Sequence, residues 1–542
     1  MSIPEVKLQK NLFGIEENSH QLYPADDKYR LFAQKIHPLL LEVRPQLIDC
    51  YCQENGRPAI EPILLLGVSL LQFLEKAPDR KAVEMIKYHL GWNIALCREI
   101  EEPIFHSTAL VRFRQRLVEN EKSQLAFNLV LEGLKKEGLL KESKRQRIDS
   151  TYVVGLVAKM SQLECFRETL RLALEEINQQ AGEEQLPAYW QRMWDQYVET
   201  KLDYQLTREA LAERQRQAGV DMQQLLSWVA EQREWEKGEK VKLLERVFGE
   251  YFRVEEAGQI ELQTPEQRES DRVINPHDPE ATWSTKGRGD DKKSWVGYKV
   301  QIAETVVEEQ AQQAGEPTPN FLTAIETQSA IESDQAGKQQ VEEAQKQSGL
   351  QEPEEWYADA AYVSAEKLAE AEAKGQQLWG PAQLPPGESH CKVDAFQIRV
   401  EERKAICPRG EQSTQCSRLE EKKSGKISYR FEWGRKCIDC PLAGQCVGKG
   451  QKHRSIEVGE HHSQLQSRRQ QMKTEEFKDR MKRRNGIEGS QSELIRGHGL
   501  RKARYRGLKK VRLQNYLIGA ACNIKRWVTY VSFRREKLMA VA

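Results

Sequence analysis

The sequence lacks a long hydrophobic run. Its longest apolar stretch, Ile63–Leu74, covers 12 residues and is interrupted by Gly67, Ser69 and Gln72. A helix that crosses a bilayer needs about 20 apolar residues, so we expect this stretch to form a buried helix. An apolar leader is also missing, because the chain starts with the polar stretch MSIPEVKLQK, and we therefore expect no signal peptide.

The sequence also lacks an even number of cysteines that could all pair in disulfide bonds. The 11 cysteines are an odd number, and five of them fall between Cys407 and Cys446. This distribution argues against a disulfide scaffold and favours a cytoplasmic protein with reduced thiols and one metal site.

The chain has almost no net charge, +1 in total, but its charges are unevenly distributed. The last segment, from Met481 to Ala542, contains 16 Lys and Arg against three Glu, whereas the middle of the chain is acidic and rich in Gln. Basic residues concentrated at one end indicate binding to a polyanion. The alternative is an ordinary solvated helix with a charged surface.

The first 140 residues are predicted to form a helical domain. Apolar residues recur at helical spacing in segments such as PILLLGVSLLQFL. A further helix follows Ser107 and carries Arg112, Arg114 and Arg116 beside an apolar stripe. Arginines on the outer side of a capped helix can contact DNA, so we predict a DNA-binding domain. The alternative is that these are ordinary surface arginines.

Beyond residue 140, strand and helix patterns alternate. Apolar and alternating stretches predict strands around Asp149, from Tyr298 to Ile302 and before Asp359, and helices separate the later strands. The pattern predicts a mixed α/β sheet built around the two aspartates. The boundaries we predict are 1–140 for the helical domain, 141–162 for the first part of the sheet core, 163–265 for a helical insertion, 266–388 for the rest of the core, 389–455 for a cysteine-rich insertion and 456–542 for a glutamate-bearing helix and basic C-terminal helices.

Three carboxylates from distant parts of the chain are suited to a metal site. Asp149 and Asp359 each follow a short apolar stretch, as at the end of a buried strand, and Glu488 lies at the start of a predicted helix. Mg²⁺ prefers hard oxygen ligands, and two such ions about 3.5–4 Å apart can promote phosphoryl transfer. The alternative is a local role for each carboxylate: a turn or a cap for the aspartates, and a helix-surface pair with Arg484 for the glutamate.

The same stretches resemble the signature blocks of bacterial insertion-sequence transposases of the DDE type. The three blocks are RIDST, YADAAY and RNGIEGSQSELIRGHGLRKARYRGL; DPEATWSTKG with GYKVQIA resembles the stretch that feeds the second strand, and GRPAIEPILLLGVSLL with FHSTALVRFRQRL resembles the N-terminal helical domain. The resemblance covers most of the chain except the helical insertion. It implies an RNase H-like catalytic core, Mg²⁺ or Mn²⁺ bound by Asp149, Asp359 and Glu488, double-stranded DNA as substrate, and a homodimer acting at the bacterial nucleoid.

Arg484 lies four residues before the glutamate, on the same face of the predicted helix, where it would orient that glutamate or grip a phosphate. The resemblance also implies an arginine at this position. Two positions depart from the family pattern: Met481 stands where related enzymes often have Tyr, and Ile495 stands where they often have Lys. The phosphate-gripping residue therefore stays open between Arg496 and Lys502.

A rival for the third carboxylate is Glu493, but the RNGIEG context favours Glu488. The basic tail would hold the DNA backbone. The predicted DNA-binding residues, besides the three arginines of the N-terminal helix, are Arg484, Arg496, Arg501, Lys502, Arg504, Arg506, Lys509 and Lys510.

The cysteine-rich segment predicts a structural zinc site. Cys437 and Cys440 form a CxxC pair, Cys446 follows six residues later, and Cys407 precedes them within a turn-forming stretch. Four thiolates make a closed tetrahedral zinc site, so we predict Zn²⁺ on these four residues. The alternative fourth ligand is Cys416, and more distant candidates are His390, Cys391 and His453. The alternative to zinc is a set of reduced thiols in a small packed subdomain.

The function that these expectations predict is that of a DNA transposase. A metal-activated water would hydrolyse the phosphodiester at an element's end, and the resulting 3′-OH would attack target DNA. Three alternatives remain: a metal-dependent nuclease that only cleaves, a non-catalytic DNA-binding protein derived from a transposase, and a zinc-stabilised helical scaffold. The acidic residues in all three blocks argue against the non-catalytic protein.

Overall fold

The structure is a computed structural model, and it describes most of the chain. The described residues are 22–52, 59–99, 102–140, 144–181, 186–201, 206–232, 238–256, 258–287, 289–307, 319–385, 391–422 and 425–541. The candidate zinc ligand His390 lies outside them.

The N-terminal part is helical, as predicted. Its helices are α1 (Lys28–Lys35), α2 (His37–Glu42), α3 (Arg44–Ile48), α4 (Pro62–Glu75), α5 (Asp79–Tyr88), α6 (Leu90–Ala95), α7 (Thr108–Glu119) and α8 (Leu125–Lys136). The apolar stretch predicted to be buried forms α4. The helix begins at Pro62, and proline is tolerated in the first turn because an N–H group there has no partner within the helix. Most of α4 is buried, in the same apolar cluster as one side of the central sheet.

The central sheet is mixed, which confirms the predicted α/β class. Its strands are β1 (Arg145–Val154), β4 (Thr282–Lys286), β5 (Lys293–Thr305), β6 (Leu322–Ser329), β7 (Glu355–Tyr357) and β8 (Gln377–Trp379). Strand β1 runs antiparallel to β5 and parallel to β7, and β7 runs parallel to β8. The other edge of β5 pairs with β6 and, further along, with β4. The order across the sheet is therefore β6–β5–β1–β7–β8.

Helices cover both faces of this sheet. On one face, Ile148 packs in a cluster with Val341 and Trp356; the helices of this region are α13 (Asp334–Gln347) and α14 (Ala365–Ala373). On the other face lies the C-terminal helix α18 (Leu508–Val541), whose Asn523 exchanges two hydrogen bonds of 2.9 Å with the backbone of Leu322 in β6. The chain therefore buries β1 between two helical layers.

The residues after β1 form a helical segment with its own core. Its helices are α9 (Gln162–Gln180), α10 (Trp190–Trp194), α11 (Arg208–Glu231) and α12 (Glu239–Tyr251), followed by a hairpin of β2 (Phe252–Val254) and β3 (Ile260–Leu262). A capping box between Ser161 and Glu164 starts α9. The cluster that these elements bury contains Trp190 and Phe166, so these aromatic residues stabilise the segment.

The cysteine-rich segment has a further small core around Phe396, Phe431 and Trp433. Its elements are β9 (Gln397–Arg399), β10 (Lys404–Ile406), β11 (Gln415–Glu420), β12 (Ile427–Glu432), α15 (Ala443–Cys446) and β13 (Ser455–Gly459). Two helices then lead back to the sheet, α16 (His462–Gln471) and α17 (Glu475–Ser492). Within the described ranges, no helix combines the length and the apolar character that a bilayer span requires.

Candidate active site

The first carboxylate, Asp149, lies in the middle of β1. Its residue is only 8% exposed, because the strand is paired on both edges and covered by helices. Its Oδ1 accepts a hydrogen bond of 2.8 Å from the amide of Ser150. Burial raises the pKa of Asp149, and the nearby Arg484 opposes that effect. A cation beside this carboxylate therefore stabilises its charged form.

The second carboxylate, Asp359, follows the neighbouring parallel strand. The register pairs Arg147 with Tyr357, so Asp149 and Asp359 each come two residues later along adjacent strands. Adjacent strands lie about 4.8 Å apart, and the charge of Asp359 contributes to the raised pKa of Asp149. Asp359 also caps a short 3-10 turn through a 2.9 Å bond from the amide of Ala361. The structure thus places the two predicted aspartates on neighbouring strands. Asp359 has the local capping role as well.

The third carboxylate, Glu488, projects from α17 and has a side chain that is 68% exposed. One turn earlier on the same helix, Arg484 reaches both carboxylates. Its Nη2 lies 2.8 Å from Oδ2 of Asp149, and its Nη1 lies 3.6 Å from Oε1 of Glu488. A single guanidinium therefore connects the glutamate helix to the first aspartate strand.

The rival carboxylate, Glu493, points elsewhere. Its two oxygens lie 2.8 Å from Nζ of Lys525 and 3.0 Å from Nε of Arg526, both on α18. Glu493 also forms, with His498 and Cys522, the one group of three or more potential metal-ligand atoms in the described ranges that all lie within 4.8 Å of one another. Because two cations already neutralise the carboxylate, this group is a poor place for a third positive charge.

The chemistry of the three predicted ligands suits a hard divalent cation. Asp149, Asp359 and Glu488 offer only carboxylate oxygens, which are the ligands that Mg²⁺ and Mn²⁺ prefer. They do not form a group as tight as 4.8 Å within the described residues. Instead, Arg484 lies between two of them and supplies the positive charge that the buried Asp149 requires. The residue types of this donor set thus fit such a metal, although in this structure Arg484 takes the place between Asp149 and Glu488.

One buried ion pair near the site was not predicted from the sequence. Arg147, two residues before Asp149, donates from Nε to Glu304 of β5 at 2.7 Å, and the Glu304 side chain is fully buried. The alternation of side chains along a strand places Arg147 and Asp149 on the same face. This spacing could have indicated that Arg147 lies near the site. The partner residue could not be found in this way, because it lies 157 residues away in the sequence.

The predicted DNA-binding helix α7 has arginines in three different environments. Arg112 is exposed, and Arg116 lies over the ring of Tyr51, 4.6 Å from its centroid. Arg114 is buried, forms an ion pair with Asp79 and stacks on the ring of Tyr505. The prediction that Arg114 faces outward is therefore wrong. Its position in the buried stripe, four residues after Leu110, follows from helical spacing.

The basic residues of the tail also divide into two groups. Arg501 covers the ring of Tyr152 at 3.6 Å and donates to its carbonyl at 2.7 Å, and Arg504 lies 4.6 Å from the ring centroid of Phe73. These two arginines pack against the protein. The exposed ones are Arg496, Lys502, Arg506, Lys509 and Lys510. The residues that can meet DNA without rearrangement are thus this second group and Arg112.

The four predicted zinc ligands line one small cavity, and Cys391 lines it with them. The cavity holds about 20 Å³ and is walled by, among others, Cys391, Cys407, Cys437, Cys440 and Cys446. That volume suits one water molecule or ion. The pKa of Cys446 is raised to about 11, mainly by burial and in addition by the neighbouring Cys391 and Cys437. Cys416, the predicted alternative ligand, lies in β11 and is not among the lining residues.

Comparison with known protein families gives two matches. Residues 406–528 match a family described as "Transposase DDE domain", and residues 17–116 match one described as "Transposase domain (DUF772)". The first match includes Glu488 and Arg484 but neither Asp149 nor Asp359. Comparison with curated proteins gave no match.

Proposed function

The two family matches support an insertion-sequence DDE transposase, and from this premise we propose that the chain cleaves DNA at the ends of an insertion element and joins those ends to target DNA. The family implies a nucleic-acid-processing enzyme with DNA as its substrate. The observation that carries the proposal is the double contact of Arg484 with Asp149 and Glu488. It links the matched segment to the aspartate strands that lie outside the match.

The core of this enzyme is RNase H-like in our proposal. Three strands that are adjacent in the sheet, β1, β5 and β6, pair antiparallel, and β7 and β8 add in parallel on the other side of β1. Asp149 lies on the central strand of this order, and Asp359 follows the strand next to it. This arrangement supports a core in which the two aspartates meet the glutamate of α17.

The metal ligands are Asp149, Asp359 and Glu488 in this proposal. When bound, two Mg²⁺ or Mn²⁺ ions would stabilise the attacking and the leaving oxygens of the phosphoryl transfer. The pKa of Asp149 supports this assignment, because it stays raised although Arg484 opposes the effect of burial, so that further positive charge would favour the ionised carboxylate. The large exposed fraction of Glu488 leaves it accessible to a ligand arriving from solvent.

The role of Arg484 is to hold a DNA phosphate beside the carboxylates. Its Nη atoms face Asp149 and Glu488, whereas its Nε is buried and has no hydrogen-bond partner in the described ranges. A buried donor without a partner is costly, and a phosphate oxygen would satisfy it if the guanidinium turns outward when DNA binds. Arginine is suited to this task because its planar fork matches phosphate geometry.

The exposed basic residues would bind the DNA backbone outside the site. Each phosphate contact releases counterions, so this binding would weaken as the salt concentration rises. The residues assigned to it are Arg112, Arg496, Lys502, Arg506, Lys509 and Lys510. Because transposition pairs two element ends, the active form in this proposal is a homodimer.

The cysteine cavity is assigned to a structural zinc ion. Cys407, Cys437, Cys440 and Cys446 would hold it, and Cys391 is placed to replace one of them. Zinc would convert these thiols to thiolates, which offsets the burial that raises the pKa of Cys446. The reduced-thiol alternative predicts no bound metal.

The test of the proposed function is a joining assay. The protein would be incubated with Mg²⁺ or Mn²⁺, labelled duplexes that carry the ends of its flanking element, and a plasmid target. We expect labelled ends to become covalently joined to the plasmid. Cleavage without joining would show a nuclease, and salt-sensitive binding without cleavage would show a DNA-binding protein.

A further inference from the structure

The glutamate helix α17 is seated on β1 through a buried polar network. Glu304 of β5 has a fully buried side chain and accepts hydrogen bonds from three directions. Its partners are Nε of Arg147 at 2.7 Å, Oγ of Ser490 at 2.5 Å and Nη1 of Arg526 at 3.0 Å. The carboxylate thus joins β1, α17 and α18 at one point.

The same network reaches the backbone of α17 next to Arg484, one turn before Glu488. Nη1 of Arg147 donates to the carbonyl of Arg483 at 2.9 Å. Directly above this guanidinium lies Gly486, where any Cβ atom would overlap the Arg147 head group. An arginine head group can usually move aside, but this one is held by Glu304 and by the carbonyl. The absence of a side chain at Gly486 therefore sets how closely α17 approaches β1.

A second glycine on the same helix lacks this constraint. Among the residues that the structure describes, a Cβ atom at Gly489 would meet no atom within 4 Å. Glycine in a helix interior costs about 1 kcal/mol relative to alanine, so both positions weaken the helix equally by this criterion. In the described part of the chain, packing explains the glycine at position 486 but not the glycine at position 489.

We infer that Gly486 and the Arg147–Glu304 pair are positioning elements, which set the distance of Glu488 from Asp149 and thereby the affinity of the site for a divalent metal. The inference rests on the proposed metal site. Arg147 lies two residues before Asp149 on the same strand face, and Gly486 and Glu488 belong to the same helix, α17. A shift of α17 away from Arg147 would therefore change the position of Glu488 relative to Asp149.

The test compares two glycine variants by a direct measure of metal binding. Mn²⁺ binding would be followed by calorimetry in the absence of DNA for wild type, Gly486→Ala and Gly489→Ala, with circular dichroism to verify folding. We expect Gly486→Ala to bind Mn²⁺ roughly 10- to 100-fold more weakly, the range typical when a residue that supports a metal ligand is changed. Gly489→Ala should bind like wild type.

Cleavage provides a second readout. In Gly486→Ala it should recover as Mn²⁺ is raised to saturation, because the ligands themselves are intact. Equal affinities for the two variants, whether both normal or both weakened, would overturn the inference.

A further variant keeps the inference testable if Gly486→Ala does not fold. Ser490→Ala removes one hydrogen bond to Glu304 without adding bulk, and it should also weaken Mn²⁺ binding. Unchanged binding in a folded Ser490→Ala protein would overturn the inference. If wild type neither binds Mn²⁺ nor cleaves DNA, the proposed metal site fails and the inference falls with it.

Discussion

Nη2 of Arg484 lies 2.8 Å from Oδ2 of Asp149, although the two residues are 335 positions apart in the sequence. This contact joins a helix within the matched transposase segment to the central strand of the sheet. It also places a cation where a buried carboxylate needs one. Arg484 is therefore the residue whose change should report most clearly on the site.

Replacing Arg484 with alanine should reduce DNA cleavage roughly 100-fold, comparable to the loss of one preorganised donor in other enzymes. Arg484→Lys should restore little activity, because lysine lacks the planar fork that contacts two groups at once. Single-turnover cleavage would measure both variants. The control is Lys482→Ala, which removes an exposed cation of the same helix that pairs with Asp479. An equal loss of cleavage in Lys482→Ala would show that the effect of Arg484→Ala comes from the change in net charge.

Exposed and buried basic residues should behave differently when they are replaced. Lys509→Ala should weaken DNA binding for all sequences and lower the slope of log affinity against log salt by about 1. Arg114→Ala should instead lower the free energy of unfolding by about 1–3 kcal/mol, because Asp79 loses its buried partner. Salt-dependent DNA binding and chemical denaturation would separate the two effects. A reduced salt slope in folded Arg114→Ala would argue against its structural role.

The stability of the fold should depend on pH through Glu326. Burial raises the pKa of this carboxyl to about 7 from its ordinary value of 4.5, although Tyr516 donates a hydrogen bond to it. Between these values the folded state holds a proton that the unfolded state has lost, so stability should fall as pH rises from about 4.5 to about 7.

The decline in the free energy of unfolding that is attributable to Glu326 is about 3 kcal/mol. In Glu326→Gln, whose side chain cannot ionise, the loss of stability with rising pH should be smaller by the same amount. Denaturant unfolding at several pH values would measure the difference between the two proteins. Parallel pH profiles would contradict the assignment.

Zinc content should distinguish the cysteines of the cavity from the one outside it. The protein purified without chelators should contain about one Zn²⁺ per chain if the site is a closed tetrahedral one. Cys437→Ser and Cys440→Ser should lose it, whereas Cys416→Ser should keep it, because Cys416 does not line the cavity. Elemental analysis of Cys391→Ser and Cys407→Ser would then identify the fourth ligand. A wild-type chain without zinc would support reduced thiols.

The sequence predicted the sheet class and the neighbouring positions of the two aspartates, because apolar stretches before Asp149 and Asp359 mark strands of one sheet. It did not predict the burial of Arg114, although helical spacing from Leu110 contained that information. The contacts of Glu304 with Arg147 and Arg526 could not be predicted, because long-range side-chain pairing leaves no local pattern. Cys391 was placed too far from the other cysteines for the same reason: only the fold brings it to their cavity.

The central claim is that Asp149, Asp359 and Glu488 together form a metal-dependent catalytic site. The most direct measurement is single-turnover cleavage of element-end DNA by Asp149→Asn, Asp359→Asn and Glu488→Gln, with Glu476→Gln as an exposed control on the same helix. We predict that each of the three variants loses cleavage while keeping DNA binding, and that the control retains both. Cleavage that survives Glu488→Gln would contradict the account.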